Sequence, residues 1–231
     1  MANGITFSYS KGFAQKNKPK MRQRYSLSQI VDLESRFRTN FINSLTGFKS
    51  LALVGTVDAA QQTNLAVFSQ IFHLGANPAL IGMIVRPDVS PRHTLENIEQ
   101  VGYYTLNHVT ADFYQKAHQT AARYAKEVSE FEAVGLTPEW KADFAAPFVA
   151  ESQVQIGLKL EEKHELLING TILVIGSIQE VFVAQQYVGI DGFVDLEQAG
   201  SLTSSGLDSY HKTQKIARLS YAKPYQPLKE V

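Results

Sequence analysis

The sequence predicts a mainly β domain, an antiparallel barrel or sandwich with peripheral helices. Three observations carry that prediction. Strand-like runs dominate, and the helical stretches fall between them without the regular strand–helix alternation of a parallel sheet. Asn169-Gly170 stands between two apolar runs, the strongest short hairpin signal. The runs at 50–56 and 79–85 are apolar and contain β-branched residues, as buried strands do.

The elements follow in chain order. Residues 28–45 read as a helix, with Ile30, Leu33, Phe37, Phe41 and Leu45 at three- and four-residue spacing, Ser28 as N-cap and Gly47 as terminator. The first buried strand is 50–56, and 58–63 is turn-like. Residues 65–69 alternate less cleanly and read as a strand or a strand end. The strand at 79–85 stops at Arg86-Pro87, because proline cannot donate to a ladder. After a loop at 88–92, Thr94 caps a short helix to Gln100, with Glu96 in its first turn. Gly102 ends that helix, and Tyr103 to Asn107 returns as a strand. A longer helix opens at Thr110 or Asp112 and runs to about Lys126, with Phe113, Ala117, Ala121 and Tyr124 on one face. Residues 127–150 are acidic and irregular. They hold Phe131, Leu136, Trp140, Phe144 and Phe148, so they read as an excursion packed on the body. Val154 to Leu160 is a half-buried strand, Glu165 to Ile168 and Thr171 to Val183 flank the hairpin turn, and 199–211 is a small-residue loop. The domain scheme is a basic arm at 1–27, one domain at 28–225 and a tail at 226–231.

Composition narrows the chemistry. The 231 residues include no cysteine, which excludes a disulfide scaffold, thiolate metal sites and a cysteine nucleophile. The chain carries 22 Lys+Arg and 22 Asp+Glu, a formal net charge of zero that argues against nucleic-acid binding. That zero is uneven. Lys11, Lys16, Lys18, Lys20, Arg22 and Arg24 precede the first acid, Asp32, so the remainder is formally −6. The basic segment reads as a solvated arm lying on an acidic body; a cleaved organelle-targeting peptide is the other reading. It lacks an apolar signal core, and no run of about 18 apolar residues exists, so neither secretion nor a membrane span is expected and the location expected is cytoplasmic.

Several site types are absent: there is no GxGxxG, P-loop, GxSxG or HExxH pattern, and the six histidines show no ligand spacing. Redox work would then fall to an organic cofactor. Asn64, Ser69, Gln70, Arg92, Thr94 and Asn97 are donors at strand ends and at a helix start. A helix opened by Thr94 with Arg92 upstream suits a phosphate, since free N–H groups and the dipole favour an anion there. The same residues also suit a plain capped helix.

Residues 50–107 resemble the flavin reductase-like domain, the FMN-binding split-barrel family that includes flavoredoxin. The stretches are Leu51-Ala-Leu-Val-Gly-Thr56, Asn64-Leu-Ala-Val-Phe-Ser69, Asn77-Pro-Ala-Leu-Ile81, Arg92-His-Thr-Leu-Glu-Asn-Ile98 and Gly102-Tyr-Tyr-Thr-Leu-Asn107. Glu130-Phe-Glu-Ala-Val-Gly-Leu-Thr137, Ala146-Pro-Phe-Val-Ala-Glu151 and Leu173-Val-Ile-Gly-Ser177 are similar to the flavoredoxin-type branch. The resemblance covers roughly 35–225. It implies a six-stranded antiparallel Greek-key split barrel, usually a homodimer, with FMN near the subunit interface. Main-chain N–H groups at Val67, Phe68 and Ser69 would bond the isoalloxazine, beside which Asn64 to Ser69 runs. Thr56 would face the ring or ribityl chain, Arg92 and Thr94 would hold the phosphate, and Asn97 and Arg86 would support.

The implied activity is hydride transfer from NADH or NADPH to flavin and onward to a small-molecule acceptor. No catalytic side chain or metal is implied. One departure matters: the Gly-Asp-His stretch common in short-chain relatives is Ile168-Asn-Gly-Thr171 here, without histidine, and His164 does not match it. A non-enzymatic FMN electron carrier is therefore the alternative, and a flavin-free interaction scaffold a third.

Overall fold

The computed structural model describes residues 22–87, 93–141 and 143–231, in two compact units, Met1–Thr39 and Asn40–Val231. The division falls at 39/40, inside the second helix, where the sequence suggested 27/28.

The expected helix at 28–45 is two helices, α1 (Leu27–Asp32) and α2 (Ser35–Leu45). Ser26, not Ser28, caps α1 through a capping box with Gln29. Leu33 is extended, with ψ 143, and the Glu34 carboxylate then accepts from the N–H groups of Arg36 and Phe37 to open α2. A second cap at Glu34, directly after the extended Leu33, splits what the apolar spacing reads as continuous.

The second unit is built on one antiparallel sheet of β1 (Ala52–Val57), β2 (Thr63–Phe68), β3 (Ile71–Ala76), β4 (Ala79–Val85), β5 (Tyr103–His108), β8 (Val154–Leu166) and β9 (Thr171–Val183). The short pairs β6 (Pro138–Glu139) with β7 (Phe148–Val149), and β10 (Thr203–Ser205) with β11 (Ser209–His211), lie outside it. The sheet order is β2-β1-β5-β8-β9-β4-β3. Hence β2 and β3, joined only by Ser69-Gln70, occupy opposite edges. In a flat seven-stranded sheet those edges would lie about 29 Å apart, whereas the link reaches at most about 11 Å. The sheet must therefore curl until its edges meet, which is a barrel. Ile84 N–H to Gln70 O (2.9 Å) and Ser50 Oγ to Ile71 O (2.8 Å) fasten the seam. Seven strands are hydrogen-bonded where six were expected.

The interior core joins Ala52, Val54, Met83, Val85, Tyr104, Leu106, Leu158 and Val174 with Leu95 and Ile98 of α3 (His93–Val101). A second core lies on the other face of β1 and β2. Leu53 and Leu65 meet Phe113, Ala117 of α4 (Tyr114–Gln119), Phe131 of α5 (Glu130–Val134), Leu136 and Val149 there. The excursion at 127–150 is thus packed as expected, except that Trp140 is 47% exposed.

Three expectations are corrected. The helix predicted to about Lys126 ends at Gln119, because Ala121 and Ala122 have no surface to cover, and the Thr120 hydroxyl turns back to Ala117 O. Strand β3 replaces an unassigned stretch; most of its side chains are exposed, so it carries no burial pattern. The β8–β9 turn spans the four residues Leu167 to Gly170 between paired Leu166 and Thr171, so Leu167 and Ile168 leave the strand and stand 90% and 94% exposed.

His108 on β5 shares a 2.9 Å hydrogen bond with Ser201 Oγ, and burial pulls its pKa down to about 4. An unfolded histidine takes a proton near its ordinary value of about 6.5. The unfolded state thus binds more protons between these values, and stability falls as pH drops through that window. Denaturant titrations at a series of pH values should show a loss of about 1–3 kcal/mol between pH 6.5 and 4. The slope should flatten in His108→Gln; an equal slope in both proteins would remove His108 as its source.

Candidate functional site

The barrel opens beyond the seam. β2 pairs with β1 alone, so its other edge is open within the sheet. β4 holds β3 and bonds Gln70, then leaves. Continuing the Ile71↔Met83 register sets Arg86 across from Phe68, where no pairing is made. The split thus has β2 on one bank and the end of β4 on the other, and α3 packs against β1 and β2.

Four of the expected site residues meet in one buried polar network. Asn64 Nδ2 donates to Thr56 Oγ1 at 3.2 Å and to Thr94 Oγ1 at 3.0 Å, and Asn97 Nδ2 donates to Thr56 Oγ1 at 3.2 Å. Thr56, Asn64, Thr94 and Asn97 are 0%, 8%, 7% and 2% exposed. Strands β1 and β2 bring Thr56 and Asn64 opposite each other, and the first and second turns of α3 bring Thr94 and Asn97 above them. A hydroxyl has one proton to donate. Thr94 accepts from Asn64, so this bond does not use the hydroxyl proton of Thr94. Thr94 is the second residue of α3, so it contributes from within the first turn rather than as the N-cap. Thr56 is held beneath this pair by two amides and has no exposed surface. Asn97 Oδ1 is buried without a hydrogen-bond partner among the described residues. Arg92 lies outside the described residues.

The open edge of β2 supplies backbone groups. Leu65 N–H donates to Glu130 Oε2 at 2.9 Å, so it points away from β1. Amide direction alternates along a strand, which turns Val67 N–H to the same open side and Phe68 N–H toward β1. Of the three expected main-chain donors, Val67 therefore lies on the edge, Phe68 is turned into the ladder, and Ser69 follows the strand end. The Val67 side chain packs in the outer core and that of Phe68 against the interior core.

Two charges at this split were not legible as site residues. Lys49 donates to Gly206 O at 2.8 Å, and burial together with the nearby Arg86 guanidinium lowers its pKa. Arg86 itself is exposed. Two cations thus lie near the seam end of β2, with a carboxylate, Glu130, at Leu65. Both depend on tertiary structure: Lys49 is set by a contact 157 residues away and Glu130 by one 65 residues away. The only advance signal for Glu130 was its place in the 130–137 stretch. His164 lies on β8, exposed, against the Glu162 carboxylate at 2.6 Å. No group of metal-ligating side chains occurs among the described residues, and none of their helices is long and apolar enough to cross a membrane. A cavity of about 430 Å³ lies elsewhere, walled by Tyr187, Phe193, Lys215 and Arg218. Its two cations are spent on Asp195 and Asp191.

A solved split-barrel protein of Shewanella frigidimarina, named as a candidate flavin reductase, is 53% identical, with a TM-score of 0.84 over 87% of this chain and 100% of its own. Flavoredoxin of Desulfovibrio vulgaris shares the fold at 22% identity, with a TM-score of 0.64 over 78% of this chain and 92% of its own. A curated, uncharacterised protein of Halalkalibacterium halodurans is 30% identical over 115 residues, 49% of this chain and 55% of that protein. The chain thus spans little more than half the length of the curated relatives it matches. The family profile described as flavin reductase like domain matches residues 48–189, which include both banks of the split, α3 and α5. The chain belongs to the flavin reductase-like domain family, with the split-barrel fold.

Proposed function

We propose that this protein binds FMN in the split and works as a flavin reductase, accepting hydride from NADH or NADPH and passing electrons to a small-molecule acceptor. The observation that supports this most is the pairing of an open backbone edge at Val67 with the Asn64–Thr94 hydrogen bond at the start of α3. The donor set fits the cofactor. An outward amide suits the carbonyl and imine acceptors of an isoalloxazine. A directed hydroxyl, the first-turn N–H groups of α3 and Arg92 suit a phosphate. Thr56 and Asn97 act from beneath, holding Asn64 and so aiming Thr94. Arg86, opposite Phe68 in the continued register, serves as the supporting cation. When bound, the flavin supplies the hydride and electron chemistry, and the chain supplies orientation, donors and shielding from water.

The expected homodimer belongs to the same reading. Ile216, Tyr221 and Tyr225 near the C-terminus are 100%, 88% and 107% exposed, apolar surface of the kind a second copy covers. Light scattering on the eluting protein should give twice the mass of one chain.

Titrating the purified protein with FMN should quench flavin fluorescence at micromolar concentrations. No uptake would refute the flavin reading and leave an interaction scaffold. Anaerobic NADH or NADPH should then bleach the bound yellow colour. Colour that persists with both donors would favour an electron carrier, the second reading, which the histidine-free stretch Ile168-Asn-Gly-Thr171 supports.

A further inference from the structure

Glu130 is a carboxylate 6% exposed, on a helix of five residues, with no salt-bridge partner among the described residues. Its Oε2 accepts the Leu65 amide at 2.9 Å, on the outer edge of β2. Beside it Ser129 Oγ and Thr63 Oγ1 are 2.7 Å apart, and Phe131 is buried with Leu65 in the outer core. Ser129, the N-cap of α5, and the helix's first two residues thus hook one edge strand. Burying a carboxylate is costly; burial raises its pKa, while hydrogen bonds from the Leu65 amide and from its own amide oppose that rise. A core contact alone would be served by an apolar side chain.

We infer that Glu130 is a positioning residue for the flavin: it ends the free edge of β2 at Leu65, fixes Val67 N–H as the next available donor, and sets an electrostatic bias beside the bound ring. Val67 lies two residues further, about 7 Å along an extended strand. At that range a carboxylate opposes negative charge added to whatever occupies the edge. His93, the first residue of α3, lies near this carboxylate. The charge of Glu130 therefore holds the flavin's midpoint potential low, and its hold on the Leu65 amide keeps the β2 edge aligned for binding.

The inference rests on the flavin reading, and two substitutions separate them. Glu130→Gln keeps an oxygen for the Leu65 amide and removes the charge; Glu130→Ala removes both. The midpoint potential of bound FMN is measured at about pH 8, above the usual carboxylate range. Glu130→Gln should be more positive than the parent protein, with FMN affinity within about threefold. Glu130→Ala frees the Leu65 amide, loosening the strand that carries Val67; it should weaken FMN by about tenfold and speed hydrogen exchange at the Leu65 amide. An unmoved potential in Glu130→Gln, or parent-like affinity in Glu130→Ala, overturns the inference while the flavin reading stands. Failure of the parent protein to take up FMN overturns the reading itself.

Discussion

Replacing Thr94 by valine together with Arg92 by alanine is expected to weaken FMN binding by roughly 2–4 kcal/mol, the sum of a lost hydroxyl bond and a lost charge-assisted contact. That is about 30- to 1,000-fold in the dissociation constant. Valine nearly preserves the shape of Thr94, which is 7% exposed, so packing around α3 is retained and the missing group is the hydroxyl. The substitution also strands Asn64 Nδ2, one of whose two acceptors is Thr94 Oγ1. Part of the loss is therefore a misaimed amide. Fluorescence titration reads the affinity directly, and circular dichroism of the FMN-free protein separates this from unfolding. Affinity within twofold of the parent would place the phosphate elsewhere.

Phe131→Ala should be the most damaging single change to the fold, costing about 3–5 kcal/mol, the usual range for deleting a fully buried phenyl ring. Phe131 is 0% exposed, among Leu65, Phe113, Ala117 and Leu136. These neighbours belong to three separate stretches of chain, so no single segment can relax into the cavity. For a chain of this size the loss corresponds to roughly 6–20 °C in Tm. Chemical denaturation giving less than about 1 kcal/mol would mean that α5 is held by its polar hooks alone.

Much of the barrel was legible because its strands obey local rules. Ala52–Val57 is buried throughout, Ala79–Val85 is apolar, and the long β8–β9 hairpin turns through residues 167–170, which contain the Asn169-Gly170 pair read from the sequence. β3 was not legible, since a mostly exposed strand leaves no apolar rhythm to read. The overlong helix after Thr110 fails for the converse reason: apolar spacing continues to Tyr124, but beyond Gln119 there is no surface for it to cover. Thr56, Asn64, Thr94 and Asn97 could be named from the family resemblance and from their short, rigid donors. That they bond to one another could not, because the network joins two strands and a helix up to 41 residues apart. The same holds for Lys49 and Glu130, whose partners are chosen by the curl of the sheet rather than by neighbours in sequence.

The two-residue link at Ser69-Gln70 reaches beyond closure. It makes the open strand β2 and the opposite edge strand β3 a single mechanical piece, because β3 is bonded to β4 and β4 to β9. The mouth cannot widen without flexing that whole run. A flat guest gripped there damps the breathing of strands it never touches, as a wedge stiffens a spring clip. Hydrogen exchange on the far strands β4 and β9 is therefore expected to slow when FMN is added.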